Sequence, residues 1–183
     1  FLLWGDSHAM SIASVFDELG QDYCLKGLQL TRSGFAPLLN WGYTPSGKID
    51  RRPESELLKA EWAKFALALI DEQRPKVVFL CAFWTIYDRP SLEKELRNTI
   101  KTLESKGVRV VLILDVPEQQ GVSARRLAVQ TRFGIRHNSP SPPAEHRRRN
   151  SNVETVIRRI EGASVVDPAE IVLGWPTLQS ADG

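Results

Sequence analysis

Cysteine is scarce in this 183-residue chain: only Cys24 and Cys81 occur, far apart and without metal-ligand spacing. Neither a zinc site nor a disulfide framework can be read from such a pair, and the redox compartment is left open. An excess of one charge is also missing, since 24 Lys and Arg stand against 22 Asp and Glu for a formal net charge of +2. That balance argues against a general electrostatic grip on nucleic acid or an anionic membrane. No run reaches the roughly 18 to 20 apolar residues of a membrane span, and no charged head with an apolar stretch marks a signal peptide. The chain as given is therefore expected to be soluble. Internal repeats and domain-scale shifts of composition are absent too, so one domain over residues 1–183 is expected. It starts on Phe1 without Met and stops at Gly183, and truncation at both ends is expected.

What is present is an alternation of apolar runs and helical patterns, the mark of strands joined by crossover helices in a parallel sheet. Strands are expected at Phe1 to Trp4, around Leu28 to Thr31, at Lys76 to Ala82, at Val108 to Leu114 and at Ser164 to Asp167. Helices are expected from about His8 to Leu19 with Gly20 as a stop, and from Glu56, with Leu57, Leu58, Trp62, Phe65, Leu69 and Ile70 on one side. Two more are expected from Leu92 to Lys106 and from about Glu145 to Ile160. Residues Trp41 to Pro53 and the proline-rich Asn138 to Pro143 read as connections, because proline removes a backbone donor and restricts the residue before it. The second could be a lid beside a site or a plain surface loop. Arg147-Arg148-Arg149, flanked by Glu145 and Glu154, reads as a solvated helix face rather than an anion clamp.

The informative place is the end of the first strand, where Gly5-Asp6-Ser7-His8 turns straight into a helix. Unpaired N–H groups and the positive end of the helix dipole converge there, so a serine oxygen can attack while nearby amides hold a developing oxyanion. The plainer alternative is that Ser7 or Asp6 merely caps the helix.

Trp4-Gly5-Asp6-Ser7-His8-Ala9 resembles the first block of the SGNH (GDSL-like) hydrolase superfamily. Taken with Ala82-Phe83-Trp84, Leu114-Asp115-Val116-Pro117 and Val165-Val166-Asp167-Pro168, the chain is most similar to the SGNH domain of acyltransferase family 3 membrane proteins, which O-acylate cell-surface sugars. The resemblance implies a three-layer α/β/α fold with a central parallel sheet, SGNH-hydrolase (flavodoxin-like) in type. It implies Ser7 as nucleophile with its own N–H as an oxyanion donor, Gly5 and Asp6 as the supporting turn, and no cofactor or metal. Gly34 in Ser33-Gly34-Phe35 would supply a second oxyanion N–H, or is a simple turn glycine. His8 and Trp84 would border a substrate pocket. Trp41, Tyr43, Trp84 and Tyr87 could stack on a sugar ring, or pack in the core or at the rim. Implied partners are an acyl donor, a carbohydrate acceptor and a preceding membrane acyltransferase domain, with no nucleic acid. The implied location is extracytoplasmic, on the periplasmic or cell-surface side.

Family members carry Asp-x-x-His near the C-terminus, where His takes the serine proton. None of His8, His137 and His146 has an acidic residue three positions earlier. Truncation just before that motif is the expected reason, and little activity is expected without the base. The rival readings are a carbohydrate-binding or scaffolding domain that has lost its base, and a phosphate-binding module using the same helix start.

Overall fold

Short apolar strands separated by helices leave one economical solution for this chain, a parallel sheet buried on both faces. The computed structural model describes residues 1–40, 53–116 and 143–172. Among them, β1 (Leu2–Gly5), β2 (Leu28–Thr31), β3 (Val77–Cys81), β4 (Arg109–Ile113) and β5 (Ala163–Val166) form one parallel sheet in the order β2-β1-β3-β4-β5. Its register aligns Leu2 with Leu28 and Val78, and Val78 with Val110, so Leu2, Trp4, Leu80 and Leu112 share one face. Leu3, Phe79, Cys81 and Ile113 share the other.

The first face is covered by α3 (Pro53–Gln73), α4 (Leu92–Ser105) and α5 (Pro143–Arg158), through Ile70, Leu96, Ile100, Val153 and Ile157. The second is covered by α1 (Ser7–Ser11) and α2 (Ala13–Asp22), whose Ala9 and Phe16 pack on Leu3, Cys81 and Ile113. Rings of Phe1, Phe16 and Phe79 interlock there, with centroids 4.8–6.0 Å apart. These layers are the expected α/β/α sandwich. A short α6 (Pro168–Val172) follows β5, capped by Asp167, whose Oδ1 accepts from Ala169 N at 2.9 Å.

Several elements differ from the sequence reading, for physical reasons. The helix expected from His8 to Leu19 is two helices broken at Ile12, and Gly20 does not stop the second, which runs to Asp22. Its apolar spacing also misleads, since Met10, Val15 and Leu19 are exposed and only Ala9 and Phe16 are buried. On α3 the side turned to the core is Lys59, Ala63, Ala66 and Ile70, whereas Leu57, Leu58 and Phe65 are exposed. Small alanines let the helix backbone approach the sheet, and the larger apolar residues fall about 100° around the helix from that contact. Pro143, read as part of a connection, opens α5 instead; at a helix start its missing N–H costs nothing. The remainder of that connection, Trp41, Tyr43, His137 and residues 177–183 lie outside the described residues.

Both cysteines are free, Cys24 exposed and Cys81 buried in β3. Burial pushes the Cys81 thiol well above its ordinary range, and the carboxylates of Asp6 and Asp115 add to the rise. Since the thiolate is the nucleophile, iodoacetamide at mildly alkaline pH is expected to alkylate Cys24 alone in the native protein and both residues in urea. Intact mass reads this directly, and two adducts on the folded chain would contradict the buried placement.

Candidate functional site

The strand order reverses between β1 and β3, because β1 connects to one neighbour and β2 returns to the other side. In such a sheet ligands bind at the carboxyl ends of the strands beside that switch. Gly5-Asp6-Ser7-His8 leaves β1 at this place, and Phe83-Trp84-Thr85 leaves β3 next to it.

Gly5 is required by closeness. A Cβ at this position would lie 1.8 Å from the Cys81 carbonyl oxygen and 2.6 Å from Ala9 Cβ. Both obstacles are fixed, one being backbone of the central strand, so β1 and β3 would have to part. Gly5→Ala is expected to destabilise by about 3 kcal/mol, the upper part of the usual overpacking range, as read by urea unfolding. A loss below about 1 kcal/mol would contradict the close approach of the two strands.

Asp6, wholly buried, is the N-cap of α1: its Oδ1 accepts from His8 N at 2.8 Å. Its Oδ2 accepts from Phe83 N at 3.1 Å and from the Tyr87 hydroxyl at 3.0 Å. One carboxylate therefore ties the turn after β1 to the 3-10 turn Trp84–Tyr87 after β3. Of the two capping candidates, Asp6 does the capping. Ser7 is left exposed at the first position of α1, and among the described residues its Oγ has no hydrogen-bond partner. Its N–H belongs to the orphan donors of a helix start.

His8 turns away to stack on Phe83, with ring centroids 4.3 Å apart and planes 15° from parallel. Gly34 sits just beyond β2 at φ +73°, a left-handed conformation that glycine adopts without strain. Arg32 N donates to Gly5 O at 3.0 Å, which holds the exit of β2 against the exit of β1. The Arg32 guanidinium lies over the Phe35 ring at 4.2 Å and braces the loop that carries Gly34. The two glycine and serine N–H groups expected to form an oxyanion hole thus leave adjacent strands at the same end of the sheet.

Trp84 does not border a pocket, and of the alternatives open for Tyr87 the structure takes core packing. Trp84 is 0 % exposed, and its indole N–H donates to Ile113 O at 2.7 Å, so it packs the core and cannot line a pocket. Tyr87 is buried and donates to Asp6, so it cannot stack on a sugar. Both are aromatic residues whose polar atom finds a partner inside, which sequence does not reveal. His146 is buried on α5, with Nδ1 2.9 Å from Asn150 Nδ2. Arg147 and Arg148 do belong to a solvated face, with Arg148 paired to Glu145 at 2.9 Å, whereas Arg149 is half-buried.

A second buried carboxylate went unassigned in the sequence. Asp115, just past β4, accepts from Trp84 N at 2.6 Å and Thr85 N at 3.1 Å, and from the Thr85 hydroxyl. Burial raises its carboxyl above the usual carboxylate range, opposed by the hydrogen bonds from Thr85 and Trp84 and by nearby His8. Asp6 and Asp115 together take three successive backbone amides, those of residues 83, 84 and 85. The available signal was an acidic residue directly after an apolar strand of a parallel sheet, where side chains reach the ligand-binding edge.

Comparison with known proteins identifies the family and the fold. A family model described as "SGNH domain (fused to AT3 domains)" matches residues 1–177. A comparison with curated proteins finds no match. Among solved structures, the lipopolysaccharide acetyltransferase periplasmic domain of Salmonella ser. Paratyphi A is similar in fold, with a TM-score of 0.59 at 17% sequence identity. The similarity covers 91% of this chain and 65% of that one, so the chain spans less than two thirds of that relative's length.

Proposed function

Because the chain belongs to the family of SGNH domains fused to acyltransferase family 3 (AT3) domains, an acyl-transfer or hydrolase family, we propose that Ser7 is its nucleophile. Ser7 Oγ attacks the carbonyl carbon of an acyl ester, commonly acetyl, as a base takes its proton. The tetrahedral oxyanion is held by the N–H groups of Ser7 and Gly34, the donor alcohol departs with a proton, and acyl-Ser7 remains. A carbohydrate hydroxyl, or water, then attacks that ester and regenerates the serine. The observation that carries this reading is the exposed Ser7 at an open helix start, relieved of capping by buried Asp6.

The carbohydrate acceptor is supported by the lipopolysaccharide acetyltransferase whose periplasmic domain shares the fold. The same likeness supports an extracytoplasmic site of action, and the family description supports a membrane AT3 domain as partner in the parent protein. Among the described residues no helix is long and apolar enough to cross a membrane. A second reading, a carbohydrate-binding or scaffolding domain without acyl chemistry, would be favoured by an intact protein that lacks the Asp-x-x-His, a motif these 183 residues do not contain.

The experiment is acylation with p-nitrophenyl acetate in the presence of imidazole, which supplies a base. One acetyl group is expected on the peptide that contains Ser7, detected by mass spectrometry. An unmodified Ser7 peptide alongside binding of glycans would support the non-catalytic reading instead.

A further inference from the structure

Beside the Ser7 turn lies a recess of about 30 Å³ between the end of β4, the turn after β3 and α5. Phe83 and Val116 form apolar walls, while Thr85, Asp115, His146, Arg149 and Asn150 supply the polar lining. We propose that this recess is a hydroxyl-binding subsite for carbohydrate, taking a single hydroxyl of the sugar that meets Ser7. The proposal deepens the acyl-transfer reading and rests on it for the sugar's presence at Ser7.

Size is the first argument. A space of about 30 Å³ is on the scale of one or two water-sized groups, so a single hydroxyl suits it better than a sugar ring. Polarity is the second. Asp115 offers carboxylate oxygens, Arg149 only donors, and Thr85 and Asn150 both kinds. A phosphate or carboxylate would meet Asp115, and an ammonium group or metal ion would meet Arg149. A hydroxyl donates to one side and accepts from the other, which suits both at once.

Preorganisation is the third argument. Asp115, His146 and Asn150 are each at most 5 % exposed, and they are joined through Thr85, whose hydroxyl touches both Asp115 Oδ2 and Asn150 Oδ1. That hydroxyl has one proton and serves one oxygen at a time, leaving the other an acceptor for an incoming donor. Arg149 is held from the outer side by Glu145, with Nε 3.7 Å from Oε1. Side chains already fixed by one another lose little freedom when a ligand arrives.

Location is the fourth. Phe83, one wall of the recess, carries the stacked ring of His8, the residue after the nucleophile. A sugar placed over this pair can present one hydroxyl to the recess and another toward Ser7.

The test is a titration of the full chain with the methyl glycosides of glucose, galactose and mannose, followed by amide chemical shifts. At least one glycoside is expected to move the signals of Phe83, Thr85, Val116 and Asn150. Removing one particular ring hydroxyl should abolish those shifts, and Arg149→Gln should weaken the affinity about fivefold or more. No shift in these residues with any glycoside, or shifts indifferent to every deoxygenated analogue, would overturn the subsite and assign the recess to structural water. If wild-type Ser7 resists acylation while the glycoside shifts appear, the nucleophile reading fails and the subsite stands.

Discussion

Replacing Asp6 with alanine is expected to lower the unfolding free energy by about 3–5 kcal/mol, a large part of the ~5–15 kcal/mol typical of a folded domain. The reason lies in the three donors that its two oxygens accept: His8 N, Phe83 N and the Tyr87 hydroxyl. Loss of the cap at His8 N accounts for about 1 kcal/mol. Each of the other donors loses its acceptor, Tyr87 in a buried position and Phe83 N in a partly buried one, and a buried unsatisfied polar group costs about 1–3 kcal/mol. Asp6→Asn separates these contributions. It keeps the volume and one acceptor oxygen, and the Tyr87 hydroxyl can turn to accept from the new amide, but Phe83 N–H cannot. About half the alanine loss is expected. Tyr87→Phe removes a donor together with its need, and should cost only about 1 kcal/mol. Urea unfolding of the three variants checks the order, and an alanine variant as stable as the wild type would refute the clamp.

Ser7→Ala is expected to do the opposite, leaving stability within about 0.5 kcal/mol while lowering acetyl labelling at this site at least ~1000-fold. Ser7 is exposed and its hydroxyl makes no hydrogen bond among the described residues, so its removal leaves no buried group unsatisfied. Alanine also suits a helix position. The chemical loss is large because a nucleophile has no substitute: without it only binding and oxyanion stabilisation remain, and knock-outs of this kind cost about 10³-fold or more. Asp6 and Ser7 thus form an informative pair of neighbours, the first expected to govern folding and the second chemistry. Equal acetylation of wild type and Ser7→Ala would place any acyl transfer elsewhere.

Much of the strand pattern was legible because buried parallel strands are short, apolar and bounded by glycine or charge. Val77 to Cys81 and Arg109 to Ile113 lie inside the runs read as strands. The α4 helix was equally plain: Leu92, Leu96, Ile100 and Leu103 recur at helical spacing and all are buried, and Gly107 beyond it takes φ +74°. Helical spacing failed on α2 and α3. There the sheet is met by small or few residues, and periodicity counts apolar side chains without knowing which side has a partner.

The candidate site divides in the same way. Gly5-Asp6-Ser7-His8 could be recognised in sequence because a turn from strand into helix needs contiguous residues of particular kinds, and family likeness travels with them. The parallel α/β class followed from alternation, since parallel strands demand crossovers, and the three-layer type came with the family resemblance. By contrast, the bond from Tyr87 to Asp6 joins residues 81 positions apart, and that from Trp84 N to Asp115 spans 31. The association of Thr85 with Asn150 spans 65. No local pattern encodes such pairings. They arise when strands from distant parts of the chain end at one edge of a sheet, and burial there forces each polar group to find a partner that the folded geometry happens to bring near. Local chemistry therefore named the proposed nucleophile and its turn, while three-dimensional packing brought the buried Asp6 and Asp115 to the amides of residues 83, 84 and 85 and sent Trp84 into the core.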